Sequence, residues 1–278
     1  MAVDAGAWQL GNVGRFGEFR PFEVTKERTV AYAEATNDEH PRHLSGELAP
    51  PVFAIVPVFE VMMPTIGDVV PGEVLMRVVH GEQDMRFHQP IVPGQTLLSR
   101  GAVVGVHGRS SGVAVVIKGE TTTESGEPVV DQYMTAFFRG VELDAHEGEE
   151  PPPHTAERGN ELAAIEMAYD DDQTHRYSKA SGDPMPIHLD DAFAKSVGLP
   201  GIIVHGLCTM AFTSRAVIQT CCPDDPTRLK RLAVRFASIV QPHEKVTTTL
   251  WEAGDDVAFE TVTDAGNIAI KDGLAHVD

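Results

Sequence analysis

The chain has 278 residues, of which 42% are hydrophobic and 23% charged. These ordinary proportions exclude a disordered, collagenous or coiled-coil protein and allow one large or two modest domains. With 22 Lys and Arg against 41 Asp and Glu the formal charge is -19, so the summed field repels phosphate backbones and excludes general nucleic-acid binding.

No apolar run reaches the roughly 18 residues that span a bilayer, and residues 1–12 are too short and too mixed for a secretory leader. A cytoplasmic protein with no membrane contact is therefore expected. Cys208, Cys221 and Cys222 form neither a C-x-x-C pair nor a disulfide framework. That fits a reducing compartment and leaves each as a small buried hydrophobe.

In chain order, the first part of the N-terminal half reads as helical and contains the apolar segment from Phe53 to Met63. Strand-like runs follow at residues 96–106, 113–123 and 129–138, with Ser125-Gly126 as a turn. Gly108-Arg109-Ser110-Ser111-Gly112 fits G-x-S-x-G, but it lies between two strand runs rather than at a strand-to-helix elbow, and is expected to be a polar turn. Residues 144–160 combine an acidic cluster, a triple proline and Gly159, which neither a helix interior nor a central strand accepts.

Beyond this linker, two prolines and a glycine are expected to hold residues 177–188 irregular, ahead of a short helix at residues 190–197 that ends at Gly198. Leu207, Met210, Ala211, Ser214, Val217, Ile218 and Cys221 recur at helical spacing and form one broad face of a core helix. Leu232, Val234 and Phe236 alternate with Ala233, Arg235 and Ala237. Further β-branched runs occupy residues 246–251, 257–262 and 268–276, with a hairpin turn at residues 264–267.

The two halves repeat each other. Tyr32, Asp38, Pro41 and His43 recur as Tyr177, Asp183, Pro186 and His188, and Arg86, Phe87 and Pro93 recur as Arg235, Phe236 and Pro242. Matched blocks in the same order mark a duplicated module, each copy an α+β unit of sheet wrapped on a helix. The expected division is residues 1–145, a linker at 146–160, and residues 161–278.

The segment from Tyr177 to His188 delivers a carboxylate, Asp183, and an imidazole, His188, five residues apart. Converging on one water, they would form a general acid/base pair; the alternative is that Asp183 only caps a turn and His188 only satisfies a local hydrogen bond. Next, Pro200-Gly201-Ile202-Ile203-Val204-His205-Gly206-Leu207 leads through Gly206 into the core helix. An open amide there can polarise a carbonyl oxygen, and a glycine there can equally serve packing. No Walker A sequence, G-x-G-x-x-G or H-E-x-x-H occurs.

Together, YSKASGDPMPIHLDDAFAKSVGLPGIIVHGLCTMAF and the later RFASIVQP resemble the MaoC-like hydratases, the (R)-specific enoyl-CoA hydratases or hydratase 2 enzymes. Among them the resemblance is to the hydratase unit of peroxisomal multifunctional enzyme type 2. It is strongest over residues 177–242 and extends loosely over the N-terminal half as a degenerate first repeat.

The resemblance implies a double hotdog fold with an acyl thioester between the copies. It implies that Asp183 and His188 hold the catalytic water, that the Gly206 N–H binds the thioester oxygen, and that Pro184, Met185, Pro186, Ile187 and Phe236 line the substrate. It implies reversible hydration of trans-2-enoyl-CoA, with residues 161–278 catalytic, residues 1–145 shaping the acyl pocket, and no metal or redox cofactor. Met185 stands where the family usually has Asn, and a thioether lacks the donors of an amide. The N-terminal copy keeps Asp38 and His43 but lacks the His-Gly step. Dehydration on an acyl carrier protein, thioester hydrolysis and non-catalytic acyl-thioester binding remain as alternatives. Monomer and homodimer are equally open.

Overall fold

The β-branched runs fold as antiparallel strands, and the apolar helical stretches become the helices those strands cover. The computed structural model describes residues 7–278; residues 1–6, the start of the stretch read above as no secretory leader, lie outside the described residues. The elements in chain order are β1 (Arg20–Glu23), α1 (Lys26–Ala35), α2 (Pro41–Leu44), α3 (Val56–Gly67), β2 (Val78–Phe87), β3 (Thr96–Arg109), β4 (Gly112–Thr123), β5 (Pro128–Arg139) and β6 (His146–Gly148). They continue with β7 (Glu161–Ala168), α4 (Gln173–Ser181), α5 (Asp191–Ser196), α6 (Gly206–Cys221), β8 (Leu229–Phe236), β9 (Lys245–Ala253), β10 (Asp256–Thr263) and β11 (Ile268–Val277). The fold class is α+β, as expected. Among the described residues no helix is long and apolar enough to cross a membrane.

Contacts group these elements into two compact units that interleave along the chain. One holds the described residues up to Glu23 with Pro57–His88 and Thr96–Pro153; the other holds Val24–Val56, Gln89–Gln95 and His154–Asp278. The division expected at residues 145 and 160 follows the sequence repeat, whereas the contacts assign α1 and α2 to the unit that carries the C-terminal repeat.

In the first unit the strand order is β1-β3-β4-β5-β2, with β6 pairing β3 beyond β1, at Gly105–His107, and all the pairings are antiparallel. Ser110 and Ser111 form the turn between β3 and β4, so the G-x-S-x-G match is the polar turn expected of it. Helix α3 carries Pro64 in its second half, where it has no N–H to give the Glu60 carbonyl, and the Thr65 hydroxyl donates to the Met62 carbonyl at 2.6 Å. Gly101 and Gly119 face each other across β3 and β4 and leave a notch in the sheet. Helix α3 lies in that notch. A Cβ at Gly101 would stand 2.9 Å from the Met62 Cα and the Val61 carbonyl oxygen, both of them backbone atoms that cannot swing aside.

In the second unit the strand order is β8-β11-β10-β9-β7, and α6 packs on β7, β8, β9 and β11. Burial of α6 extends beyond the expected face to Cys208, Thr209, Phe212, Thr213 and Ala216, because the 3-10 turn Pro51–Ile55 covers it from another side. Cys208 and Cys222 are buried, as expected, but Cys221 is only half-buried; all three are free thiols. Residues 177–181 are not irregular. They form the last turns of α4, whose carbonyls are closed by Gly182 at φ 81°, and the prolines act only after that stop.

The glycine notch predicts that Gly101→Ala destabilises the first unit by about 1–3 kcal/mol, the usual cost of overpacking a tight site. A urea titration should show the lowered midpoint. An unchanged midpoint would mean that α3 can lift off the sheet freely.

Candidate active site

Helix α4 delivers the motif loop. Its αL stop at Gly182 turns the chain, and the Ser178 hydroxyl donates to the Asp183 carbonyl at 2.6 Å, fixing the first loop residue against the helix it leaves. The Asp183 carboxylate accepts from the Met185 N–H at 3.1 Å, a turn that holds the side chain on the loop. A 3-10 turn over Pro186–His188 then swings the imidazole inward, so that His188 is buried while Pro184, Met185 and Pro186 are exposed and Ile187 is half-buried.

Two backbone ties join this loop to the segment ahead of α6. The Ile203 N–H donates to the Ile187 carbonyl at 3.2 Å, and His188 Nδ1 donates to the Ile203 carbonyl at 2.8 Å. The second bond requires the proton on Nδ1. It therefore leaves Nε2 with a lone pair, the form a general base needs. Burial also holds the His188 pKa below its ordinary value of 6.5, against the opposing pull of the Ile203 carbonyl and the Asp183 charge.

One side-chain donor atom each from Asp183, His188 and His205 lie within 4.8 Å of one another. The expected pairing of Asp183 with His188 is thus present, and sequence reading missed its third member. His205 is the N-cap residue of α6; its ring stacks on His188 at 3.7 Å between centroids and lies 4.9 Å from the Tyr177 ring. Burial pushes its pKa down to about 3, with the neighbouring His188 acting in the same direction and the Asp183 backbone against it. A neutral, 2%-exposed imidazole here is a wall that keeps water from the back of His188. The signal available in the sequence was its place immediately before Gly206. The same two nitrogens and one carboxylate oxygen are also a donor set that a divalent cation would accept.

Gly206 is the first residue of α6, so its N–H belongs to the first turn, where no helical carbonyl is available to accept it. The Phe236 ring lies over this glycine: a Cβ at position 206 would stand 3.2 Å from the ring. The structure thus brings Gly206 and Phe236 together, and places them next to the His205–His188 stack. Pro184, Met185 and Pro186 are on the same loop as the carboxylate, but nearly half of Met185 is open to solvent at 48%.

The repeat-related residues meet within this same unit. Helices α1 and α4 pack on each other, the Tyr32 and Tyr177 hydroxyls are 3.2 Å apart, and Gln173 Nε2 donates to the Ala35 carbonyl at 2.6 Å. Asp38 and His43, the counterparts of Asp183 and His188, behave differently. His43 Nδ1 bonds directly to the Asp38 carboxylate at 2.7 Å, with both side chains buried. Although burial by itself would raise the Asp38 pKa, the bond and charge of His43 hold it below the ordinary carboxylate value.

The chain is similar to known proteins over both of its halves. A model of the MaoC like domain matches residues 153–272, and one of the MFE-2 hydratase 2 N-terminal domain matches residues 45–140. A peroxisomal hydratase-dehydrogenase-epimerase of Neurospora crassa is 33% identical over 82% of this chain, which spans only 26% of that longer protein. A probable enoyl-CoA hydratase 2 of Dictyostelium discoideum is 27% identical, over 78% of this chain and 80% of the relative. The crystal structure of a MaoC-like dehydratase from Phytophthora capsici superimposes with a TM-score of 0.82 at 24% identity, covering 94% of this chain and 96% of its own, a likeness of fold. A further match, at a TM-score of 0.62, is described as a double hotdog fold. With both family models matched in order, the chain belongs to the MaoC-like family, with a hydratase 2 N-terminal domain ahead of its MaoC like domain.

Proposed function

We propose that the protein is a hydro-lyase that adds water reversibly to trans-2-enoyl-CoA, giving the (3R)-3-hydroxyacyl-CoA. The observation that carries the proposal is the convergence of the Asp183 carboxylate and the His188 imidazole within 4.8 Å, beside the first turn of α6. Hydration of a conjugated thioester needs a base to take a proton from water as its oxygen bonds to Cβ. It also needs an acid to place a proton on Cα, and a donor for the oxygen that gains charge in between.

His188 Nε2, with its lone pair set by the Nδ1 bond to Ile203, takes the water proton. Asp183 holds the same water, and the proton taken by His188 is handed on within the pair to Cα, so that the OH and the H of one water are both delivered. The Gly206 N–H, at the positive end of α6, bonds the thioester oxygen. Pro184, Met185, Pro186, Ile187 and Phe236 line the substrate, with Phe236 already seated on Gly206. Residues 161–278 carry the chemistry. Residues 1–145 shape the acyl pocket and take no chemical step, since Asp38 and His43 are buried against each other with no room between them for a water.

The name of the Dictyostelium relative, an enoyl-CoA hydratase 2, supports this substrate class. The charge of -19 makes docking of a whole acidic carrier protein unfavourable, whereas the few phosphates of coenzyme A can be met by local basic side chains. The reaction belongs to fatty acid metabolism, in a monomer or homodimer. The free thiols suit the cytoplasm, and the peroxisome named for the Neurospora relative is the alternative compartment.

Ultraviolet absorbance of the conjugated enoyl thioester tests the reading. The band should disappear without release of free thiol, and Asp183→Asn or His188→Ala should each slow its loss by about 10²-fold or more. Thiol release would instead identify a thioesterase, and binding without turnover a carrier of acyl thioesters.

The pH dependence has a stated sign. A base whose pKa is lowered stays neutral to lower pH, so kcat/KM should hold steady as pH falls through 6.5 and decline only below it. A fall in kcat/KM centred at or above 6.5 would contradict the role given to His188.

A further inference from the structure

A second cluster of chemistry-bearing side chains lies in the first unit, and neither the motif loop nor the proposed reaction uses it. Strand β6 pairs with β3 so that His146 stands opposite His107, their ring centroids 5.9 Å apart. The strap that follows β6 is tied to β3 by the Glu149 N–H, which donates to the Val104 carbonyl at 2.8 Å, and it brings Glu150 over the same place. One donor atom each of His107, His146 and Glu150 lie within 4.8 Å of one another.

The state of His107 makes this more than a surface cluster. The residue is 2% exposed, and its Nε2 is 2.8 Å from the Glu149 carbonyl, so Nε2 carries the proton and donates it. Nδ1 is then a buried lone pair. It has no hydrogen-bond partner, and the atom it faces is Glu150 Oε1 at 3.5 Å. Two acceptors facing each other without a hydrogen between them repel, and a cation placed between them removes the repulsion.

The geometry suits a divalent transition metal. Two imidazole nitrogens with one carboxylate oxygen are a zinc-class donor set, and bonds of about 2.0–2.1 Å in a tetrahedron put neighbouring donors slightly over 3 Å apart. A backbone carbonyl accepting from the far nitrogen of His107 is the usual support of a metal-bound histidine. Arg109 pairs with the other oxygen, Oε2, of Glu150 and leaves Oε1 free to coordinate.

We propose that His107, His146 and Glu150 bind one Zn²⁺, with water at the fourth position. This zinc clasps the strap after residue 145 to the end of β3. The site is independent of the proposed hydratase reaction.

Titration calorimetry of the full chain with zinc chloride, paired with Co²⁺ absorption spectra, tests it. His107 is too buried to replace safely, so the test uses the exposed ligands. Wild type should bind one Zn²⁺ per site, show tetrahedral Co²⁺ bands, and gain thermal stability with added zinc. His146→Ala and Glu150→Gln should each weaken binding by more than the roughly 10–100-fold that loss of an outer-shell partner costs, and should abolish the thermal gain. Asp183→Asn should leave binding at this site unchanged. No zinc binding by wild type would overturn the proposal. So would binding that survives both exposed-ligand substitutions, or binding lost only in Asp183→Asn.

Discussion

Everything at the motif loop depends on one small exchange of hydrogen bonds around Ile203. Its N–H is taken by the Ile187 carbonyl and its carbonyl by His188 Nδ1. The first bond fixes where the loop sits, and the second fixes which nitrogen of His188 holds the proton. Position and protonation are thus set by the same residue. Because Ile203 lies only three residues before Gly206, the imidazole and the opening of α6 are held in one frame rather than on separately moving loops. An acid/base pair built this way would lose little entropy on binding a ligand, since the side chains have already lost their freedom.

The second layer of support is aromatic. His205 stacks on His188, Tyr177 lies against His205, and Tyr32 meets Tyr177 through both ring and hydroxyl. This column of rings covers one face of the His188 imidazole. Burial lowers the pKa of both His188 and His205 and so favours the neutral form of each imidazole. The opposite outcome at Asp38 and His43 has a simple origin. There the carboxylate and imidazole touch directly at 2.7 Å, so the Asp38 carboxylate is spent on His43 Nδ1, while His43 Nε2 is buried without a partner.

Much of this was legible in the sequence, for reasons that differ from element to element. The strands β3, β4, β5, β9, β10 and β11 announce themselves by β-branched runs between turn residues, and α6 by its apolar spacing. Helix α4 was hidden. Its residues are mostly polar, and the prolines and glycine that follow Ser181 suggested an irregular loop, whereas they only end the helix. Asp183, His188 and Gly206 were visible as residue types in a familiar spacing. His205 was passed over although it stands immediately before Gly206, because its stacking on His188 depends on how two segments fold together. The exposure of Met185 and the covering of Gly206 by Phe236 likewise depend on how distant segments fold back, and no local pattern encodes them.

The packing of α1 on α4 bears on the history of the chain. A duplicated module normally leaves two interchangeable copies, either of which can be lost or shuffled. Here, the N-terminal copy has given its helix to the body that holds the C-terminal motif, where Ala35 accepts from Gln173 and Tyr32 faces Tyr177. Arg176 adds a bond to the Glu34 carbonyl at 2.7 Å. A C-terminal copy separated from its twin would expose Tyr177 and leave Gln173 and Arg176 without these partners. Tyr32, Glu34 and Ala35 of the first repeat thus complete the surroundings of α4, the helix that delivers the second repeat's motif loop.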